Sequence, residues 1–487
     1  MLRILGSPRR LCDGLTRREM LLAGGLGILG VDAMANPPTT DRTFGSAKNV
    51  ILLYLFGGPS HIETFDMKPD APPEVRGPFK AIRTKLPGAD INEHLPRVAS
   101  IMDRVCVVRS LTHPWNFHGM QWATTGLPEG SIPIEETLKH PQHWPFLGSV
   151  FTHLDQRRNG PKPAGSIPDN IMLPWLLSTR RPANRYAPPQ GCYLGQQFDP
   201  LWADFRGKAT RSMSRMSNGP AEMIADPYLG ITPESRFEFT GDSDSDLTID
   251  RMHQRRNLLE QFDIARRTID RSSREQRFDH HRRLAYELVG STKVRNALDL
   301  DREPRSLRES YGMTLFGQGT LQARRLVEAG CRFVTVIWDE VGQLNAGWDT
   351  HVDHKNRLQN DLLPGFDRAF SALILDLEQR GMLDDTLIWV ANEMGRTPKL
   401  ENNGDGRGHW GRAYSNLLAG AGVKRGAVVG RTDKIGATVT DRPISAKDIL
   451  ATIYHLIGVD PETTVTDKLN RPINLLPYGE MIPEMIG

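Results

Sequence analysis

Cysteine is scarce, with four in 487 residues, at positions 12, 106, 192 and 331. Cys12 lies in a leader-like segment, and the other three are scattered. They allow at most one bridge and make no zinc-knuckle spacing, so disulfides do not hold this fold together. Net charge is scarce as well. Of the formal +3, residues 1–35 carry +2, from five arginines against Asp13, Glu19 and Asp32, which leaves +1 for the remainder. Such a balance excludes a global basic field that would gather nucleic acid or anionic lipid. No apolar run makes a comfortable membrane span. Internal repeats are absent, and the apolar content is ample for a large core.

The leader itself has a pattern. In "LTRREMLLAGGLGILGVDAMAN", Arg17 and Arg18 precede a short, glycine-rich apolar stretch, and Ala33-Met34-Ala35 offers a small-residue cleavage site. This predicts twin-arginine export over residues 1–35, a mature chain beginning near Asn36, and a periplasmic or extracellular location, with an uncleaved anchor as the alternative. Proteins exported this way fold first, which suits a metal acquired inside the cell.

From residue 36 to 487 we expect a single domain. "NVILLYLFGGP" reads as a strand buried on both faces that ends in a sharp loop, and "DRVCVVRS", "CRFVTVIWD" and "DTLIWVANE" repeat the theme. Between the last two, "NDLLPGFDRAFSALILDLEQRG" has helical spacing. Strand, crossover helix and strand imply a parallel sheet, so the class is α/β. Residues 127–250, rich in Pro, Gly and Arg, read as excursions from the sheet that rim the site. Residues 251–329 carry amphipathic helical patterns, in which His280 and His281 read as solvated helix residues.

Ligands of an open parallel sheet bind beyond the carboxyl ends of its strands. The first strand is followed by Ser60, His61 and Asp66; "VCVVRS" by His113, Asn116 and His118; and "FVTVIW" leads to "GWDTHVDHK", with Asp349, His351, Asp353 and His354. "LIWVAN" is followed by Glu393 and Arg396, and "NNGDGRGHWG" holds Asp405, Arg407 and His409. Five loops thus bring carboxylates and imidazoles to one predicted edge. A divalent ion takes neutral imidazole and carboxylate, and a pair of ions needs ligands from several loops. Arg396 and Arg407 either fork onto a phosphate or sulfate or orient the site's carboxylates.

"GGPSHIETFD", "LTHPWNFHGMQWATTG", "GWDTH", "NEMGRTP" and "GRGHWGRAYSNLLAGAGVKRGAVVGRTD" resemble the bacterial DUF1501 family, a relative of the alkaline phosphatase and sulfatase superfamily. The resemblance implies a central sheet flanked by helices, two divalent ions, and a Ser, Thr or formylglycine nucleophile. It matches Asp349 and His351 to mid-chain metal ligands, Glu393 to the place of an Asp-His pair, and His409 to the last histidine ligand. Two departures stand out. Phe56 and Gly57 occupy the place of a metal-binding Asp, which leaves His61 or Asp66 as substitutes. The nucleophile position falls near Asn116, which cannot serve, and the C-x-P-S-R pattern of sulfatases is missing at Cys106.

The expectation is therefore an exported hydrolase of phosphate, sulfate or related esters. Zinc is the first choice of metal, with calcium and manganese as alternatives, and metal-bound hydroxide replaces the missing nucleophile. The metal set is His61, Asp66, Asp349, His351, Glu393 and His409. His113 or His118 completes the site or acts as general acid, and Arg407 and Arg396 serve the anion. Partners would be a small anionic, sulfated or phosphorylated substrate, with no nucleic acid and no membrane beyond the signal. The alternatives are a non-catalytic binding or cell-envelope module on the same scaffold, and a sulfatase.

Overall fold

The computed structural model describes residues 42–163, 165–181, 186–214, 222–239, 291–467, 469 and 471–487. The segment 1–35 expected to be an export signal, the polar tract "TGDSDSDLT", His280 and His281 lie outside the described residues. Apart from Met1–Arg42, the chain forms one compact unit, Thr43–Gly487.

Among the described residues nine strands form the central sheet: β1 Asn49–Leu55, β2 Val105–Leu111, β3 Asn170–Leu173, β4 Leu201–Arg206, β5 Arg236–Phe239, β6 Phe333–Trp338, β7 Thr386–Ala391, β8 Tyr414–Ala419 and β9 Ala427–Val429. Their order is β9-β2-β8-β7-β1-β6-β3-β4-β5. From β7 through β1, β6 and β3 to β4 every pairing is parallel. β8 runs antiparallel to both β7 and β2, and β5 runs antiparallel to β4. Two reversals return β2 to the direction of β1. The carboxyl ends of β1, β2, β3, β6 and β7 therefore share one edge, and the chain enters β8 from that same edge.

The apolar run of β1 is continuous because both faces are covered. Ile51, Leu53 and Leu55 pack into one core with the helices α2 Leu315–Glu328 and α3 Leu363–Gln379. Val50, Leu52 and Tyr54 pack into the other, with α1 Leu147–Asn159 and α4 Ala446–Leu456. A sheet between two helical layers is the α/β architecture the strand runs predicted, and α3 occupies the predicted crossover. At α2, Thr314 caps the first turn by accepting from the Gly317 amide at 3.1 Å. At α4, Ser445 and Asp448 form a reciprocal capping box.

The stretch expected to be a rim does more than that. It contributes α1 and the strands β3, β4 and β5, one flank of the sheet. Its strands "NIML" and "RFEF" are only four residues long, too short for periodicity to reveal among the prolines and glycines. Among the described residues no helix is long and apolar enough to cross a membrane.

Candidate functional site

Asp349 is the hub. It sits in the turn after β6, 4 % exposed, and three histidines surround its carboxylate. His118 Nε2 lies 3.2 Å from Oδ2, while His351 Nε2 and His409 Nε2 lie 3.1 and 3.3 Å from Oδ1. The last two ring nitrogens approach each other to 2.9 Å. His118 turns its other nitrogen, Nδ1, to Glu393 Oε1 at 2.9 Å. Ligand atoms of His118, Asp349 and His409 all lie within 4.8 Å of one another. The four elements involved are the loops after β2, β6 and β7 and the ribbon strand His409–Trp410 that precedes β8.

Two glycines make this approach possible. Gly57 has φ +110°, and a Cβ there would stand 2.4 Å from the Asp349 amide nitrogen. The space a side chain at Gly57 would need is thus filled by the backbone of Trp348 and Asp349. The Gly57 amide donates to Glu393 Oε1 at 2.8 Å. Gly406 lets the chain cross His351, since a Cβ would meet its carbonyl oxygen at 1.7 Å.

The cluster is electrostatically taut. Burial opposes charge on His118, yet Asp349 and Glu393 outweigh it and raise the imidazolium to about 10. Burial would likewise lift the Asp349 carboxyl, but His118 and Arg396 hold it well below its ordinary value. Burial lowers His409. Glu393 Oε2 is buried and accepts no hydrogen bond of ordinary geometry among the described residues; the Tyr54 hydroxyl, which donates to Gly119 O, lies close to this carboxylate. His351 and His409 are about a quarter exposed, so the cluster opens to solvent through these two rings.

Both arginines turn inward. Arg407 is fully buried and places all five N–H groups. Nε and Nη2 grip Glu63 Oε2 and Oε1 at 2.8 and 2.7 Å, Nη2 also reaches Val75 O at 2.7 Å, and Nη1 donates to the Thr397 and Pro398 carbonyls. Arg396 donates to the carbonyls of Gly58, Gly57 and Arg407 and to Asp349 Oδ1, with Nη1 3.4 Å from His351 Nε2. Of the two roles expected for them, the contacts fit the orienting one: Arg407 has every donor placed on Glu63 and main chain, and Arg396 donates to Asp349.

Three more candidates are displaced from the cluster. His113 Nε2 donates to the Glu393 carbonyl at 2.7 Å, and Nδ1 accepts from the Trp115 amide at 3.2 Å. With both nitrogens held by main chain and burial lowering its pKa, His113 is a neutral strut under Glu393 and no proton donor. His61 points to Gly436 O at 2.7 Å. Asp66 is paired with Lys68 at 2.9 Å and bonded by the Thr432 hydroxyl. Neither shares a contact with Asp349. His354, beside His351 in sequence, belongs to Glu63 at 2.7 Å. Asn116 accepts from the Gly411 amide at 2.7 Å, and its carbonyl lies 3.2 Å from His409 Nδ1.

Residues not foreseen also stand at this edge. Asp339 and Glu340 follow β6 immediately. Asp339 accepts from Trp175 Nε1 and the Ser178 amide at 2.9 and 2.8 Å. Burial raises the Glu340 carboxyl, opposed by Arg181 and assisted by Asp349. The signal was present in "VTVIWDE", where two acids end a buried strand.

No curated protein matches this chain. Among solved structures, i-CgsB in complex with k-i-k-neocarrahexaose shows 12% identity over 85% of this chain and 72% of its own, with a TM-score of 0.40. The PsFucS1 sulfatase from Pseudoalteromonas sp. shows 11% identity over 98% and 75%, with a TM-score of 0.39. The lipoteichoic acid synthase LtaP from Listeria monocytogenes shows 11% over 93% and 81%, with 0.35. Residues 47–486 match the family described as a protein of unknown function, DUF1501, and the chain belongs to that family.

Proposed function

We propose that this protein is an exported, metal-dependent hydrolase of phosphate, sulfate or related esters. One observation carries the reading: imidazole and carboxylate ligand atoms from separate loops converge within 4.8 Å at the carboxyl edge of the sheet. The spacing suits an ion. Ligands about 2.0–2.2 Å from a tetrahedral zinc stand about 3.3 Å from each other, and the three histidine nitrogens lie 3.1 to 3.3 Å from Asp349 oxygens. A set rich in imidazole favours zinc over calcium, which prefers oxygen ligands. The buried Glu393 Oε2, which accepts no hydrogen bond of ordinary geometry among the described residues, is a further place for positive charge.

In this reading Asp349, His351 and His409 hold the ion with His118, and Glu393 supports His118 from behind. A divalent ion bound there lowers the pKa of a water and polarises the ester oxygen. Arg396 fixes the Asp349 carboxylate, and the Gly57 amide fixes Glu393. The exposed edges of His351 and His409 mark where substrate arrives. The leader pattern around Arg17 and Arg18 supports export.

A non-catalytic binding or cell-envelope module is the competing reading. It is favoured by Asn116, which occupies the nucleophile position and is tied to the Gly411 amide. Elemental analysis of protein purified without added metal, combined with assays on an activated aryl phosphate and an aryl sulfate, separates the two. We expect about one ion per chain and turnover that His409→Ala abolishes. A fully metallated protein without turnover favours the module, and wild type without metal sinks the hydrolase.

A further inference from the structure

Arg407 has no donor left for an anion, and Arg396 keeps only the Nη1 hydrogen that faces His351 Nε2, yet an ester of phosphate or sulfate needs a strong partner. A third arginine reaches the same edge from the loop after β3. That loop is stitched to the end of β6: Trp175 Nε1 and the Ser178 amide both donate to Asp339 Oδ2, and Ser178 Oγ accepts from the Tyr186 amide at 2.9 Å. Arg181 is thereby brought against Glu340, with Nη1 3.0 Å from Oε2 and only 7% of its side chain exposed. Its guanidinium lies 4.8 Å from the centre of the Tyr186 ring, and that ring lies 6.0 Å from the His118 ring.

This guanidinium hydrogen-bonds the Tyr186 side chain, yet two of its nitrogens stay unmet. Nε and Nη1 of Arg181, and Oε1 of Glu340, are buried without a hydrogen-bond partner among the described residues; the contact with Glu340 is a charge contact that lacks hydrogen-bond geometry. Buried donors left unmet are costly, and where a chain retains them a ligand is a natural acceptor. A planar fork matches two oxygens of a tetrahedral oxyanion.

We propose that Arg181 is the anion-recognition residue, its Nε and Nη1 binding the phosphate or sulfate oxygens of a ligand presented to the His118–Asp349–His409 cluster, with Glu340 as counterion. The proposal rests on the ester-hydrolase reading for its location, but its test does not depend on turnover.

Calorimetric titration of the full chain with inorganic phosphate and, separately, inorganic sulfate decides it, in zinc-loaded and chelator-treated forms. Wild type should bind at least one anion. Arg181→Met should weaken that binding about 10-fold or more, as expected for a lost charge-assisted pair, with zinc content unchanged, and Arg181→Lys should restore only part. The preferred anion names the ester class. Glu340→Gln keeps the packing around Arg181 and should tighten binding, so it serves even where Arg181→Met does not fold. Wild type binding neither anion, or Arg181→Met binding as wild type, or unchanged affinity in Glu340→Gln, overturns the proposal. Arg181-dependent binding in a wild type that holds no zinc upholds it while removing the metal-hydrolase reading.

Discussion

Two buried ion clusters lie side by side and are built from the same loops. "GWDTHVDHK" sends His351 to one and His354 to the other, and "NGDGRGHWG" does the same with His409 and Arg407. In the Glu63 knot, both carboxylate oxygens are gripped by Arg407 and one also by His354, and Arg407 has every donor placed. In the Asp349 cluster, ring nitrogens crowd one carboxylate and one another, and Glu393 keeps an oxygen without a hydrogen bond of ordinary geometry. The lesson is that residue type does not separate structure from chemistry. Saturation does: a filled network rigidifies, whereas converging unshared lone pairs mark a place for a ligand.

The largest expected effect breaks the knot. Glu63→Gln strands a buried guanidinium and should cost about 3–5 kcal/mol of stability, read from urea unfolding of the chelated protein. Metal content of the folded fraction should stay at the wild-type value. A cost below about 1 kcal/mol would mean that the knot is not the rigid member of the pair.

His409→Ala is the matching change in the cluster. His409 is partly exposed, so the chelated variant should lose no more than about 1 kcal/mol, while zinc affinity falls about 100-fold or more. Competition with a chromophoric chelator measures it, and unchanged affinity would remove His409 from the metal set.

Both clusters should lose stability in acid, and the Asp349 cluster should add a loss in alkali. His354 and Arg407, against the effect of burial, hold the Glu63 carboxyl well below its ordinary value. Its contribution is therefore present above about pH 4.3 and lost as pH falls below that. His118, raised to about 10, contributes fully below about pH 6.5 and loses its contribution as pH rises through 10. Urea midpoints of chelated protein across pH 3–11 should show both flanks, and His118→Gln should flatten the alkaline one and, because His118 also lowers Asp349, soften the acid one. An alkaline flank unchanged in that variant would contradict the assigned partners. Zinc binding near pH 8 should release about one proton, because the imidazolium must deprotonate to ligate.

The smallest effect is expected at the hydroxyls. Ser60→Ala and Thr112→Ala should leave turnover of an aryl ester within about 2-fold of wild type, since metal-activated water needs no side-chain nucleophile. A large loss in either variant with metal retained would point to a covalent route through that oxygen.

What the sequence determined by itself was the local part. β1, β2, β6 and β7 are continuous apolar runs because both of their faces are covered, and that property is written residue by residue. The same runs place "GWDTH", "NEMGRTP" and the loop with His118 at a common edge, since parallel strands put their carboxyl ends together. The role of each polar residue was not local. His113 and His118 stand five positions apart in one loop; one is held at both nitrogens by main chain and the other bridges two carboxylates. Arg407 looked free until folding brought Glu63 to it from the loop after β1. Arg181 went unnoticed because β3 is four residues long and its meeting with Glu340 depends on β3 pairing beside β6. Only the tertiary structure could decide these roles, because whether a donor is saturated depends on partners hundreds of residues away.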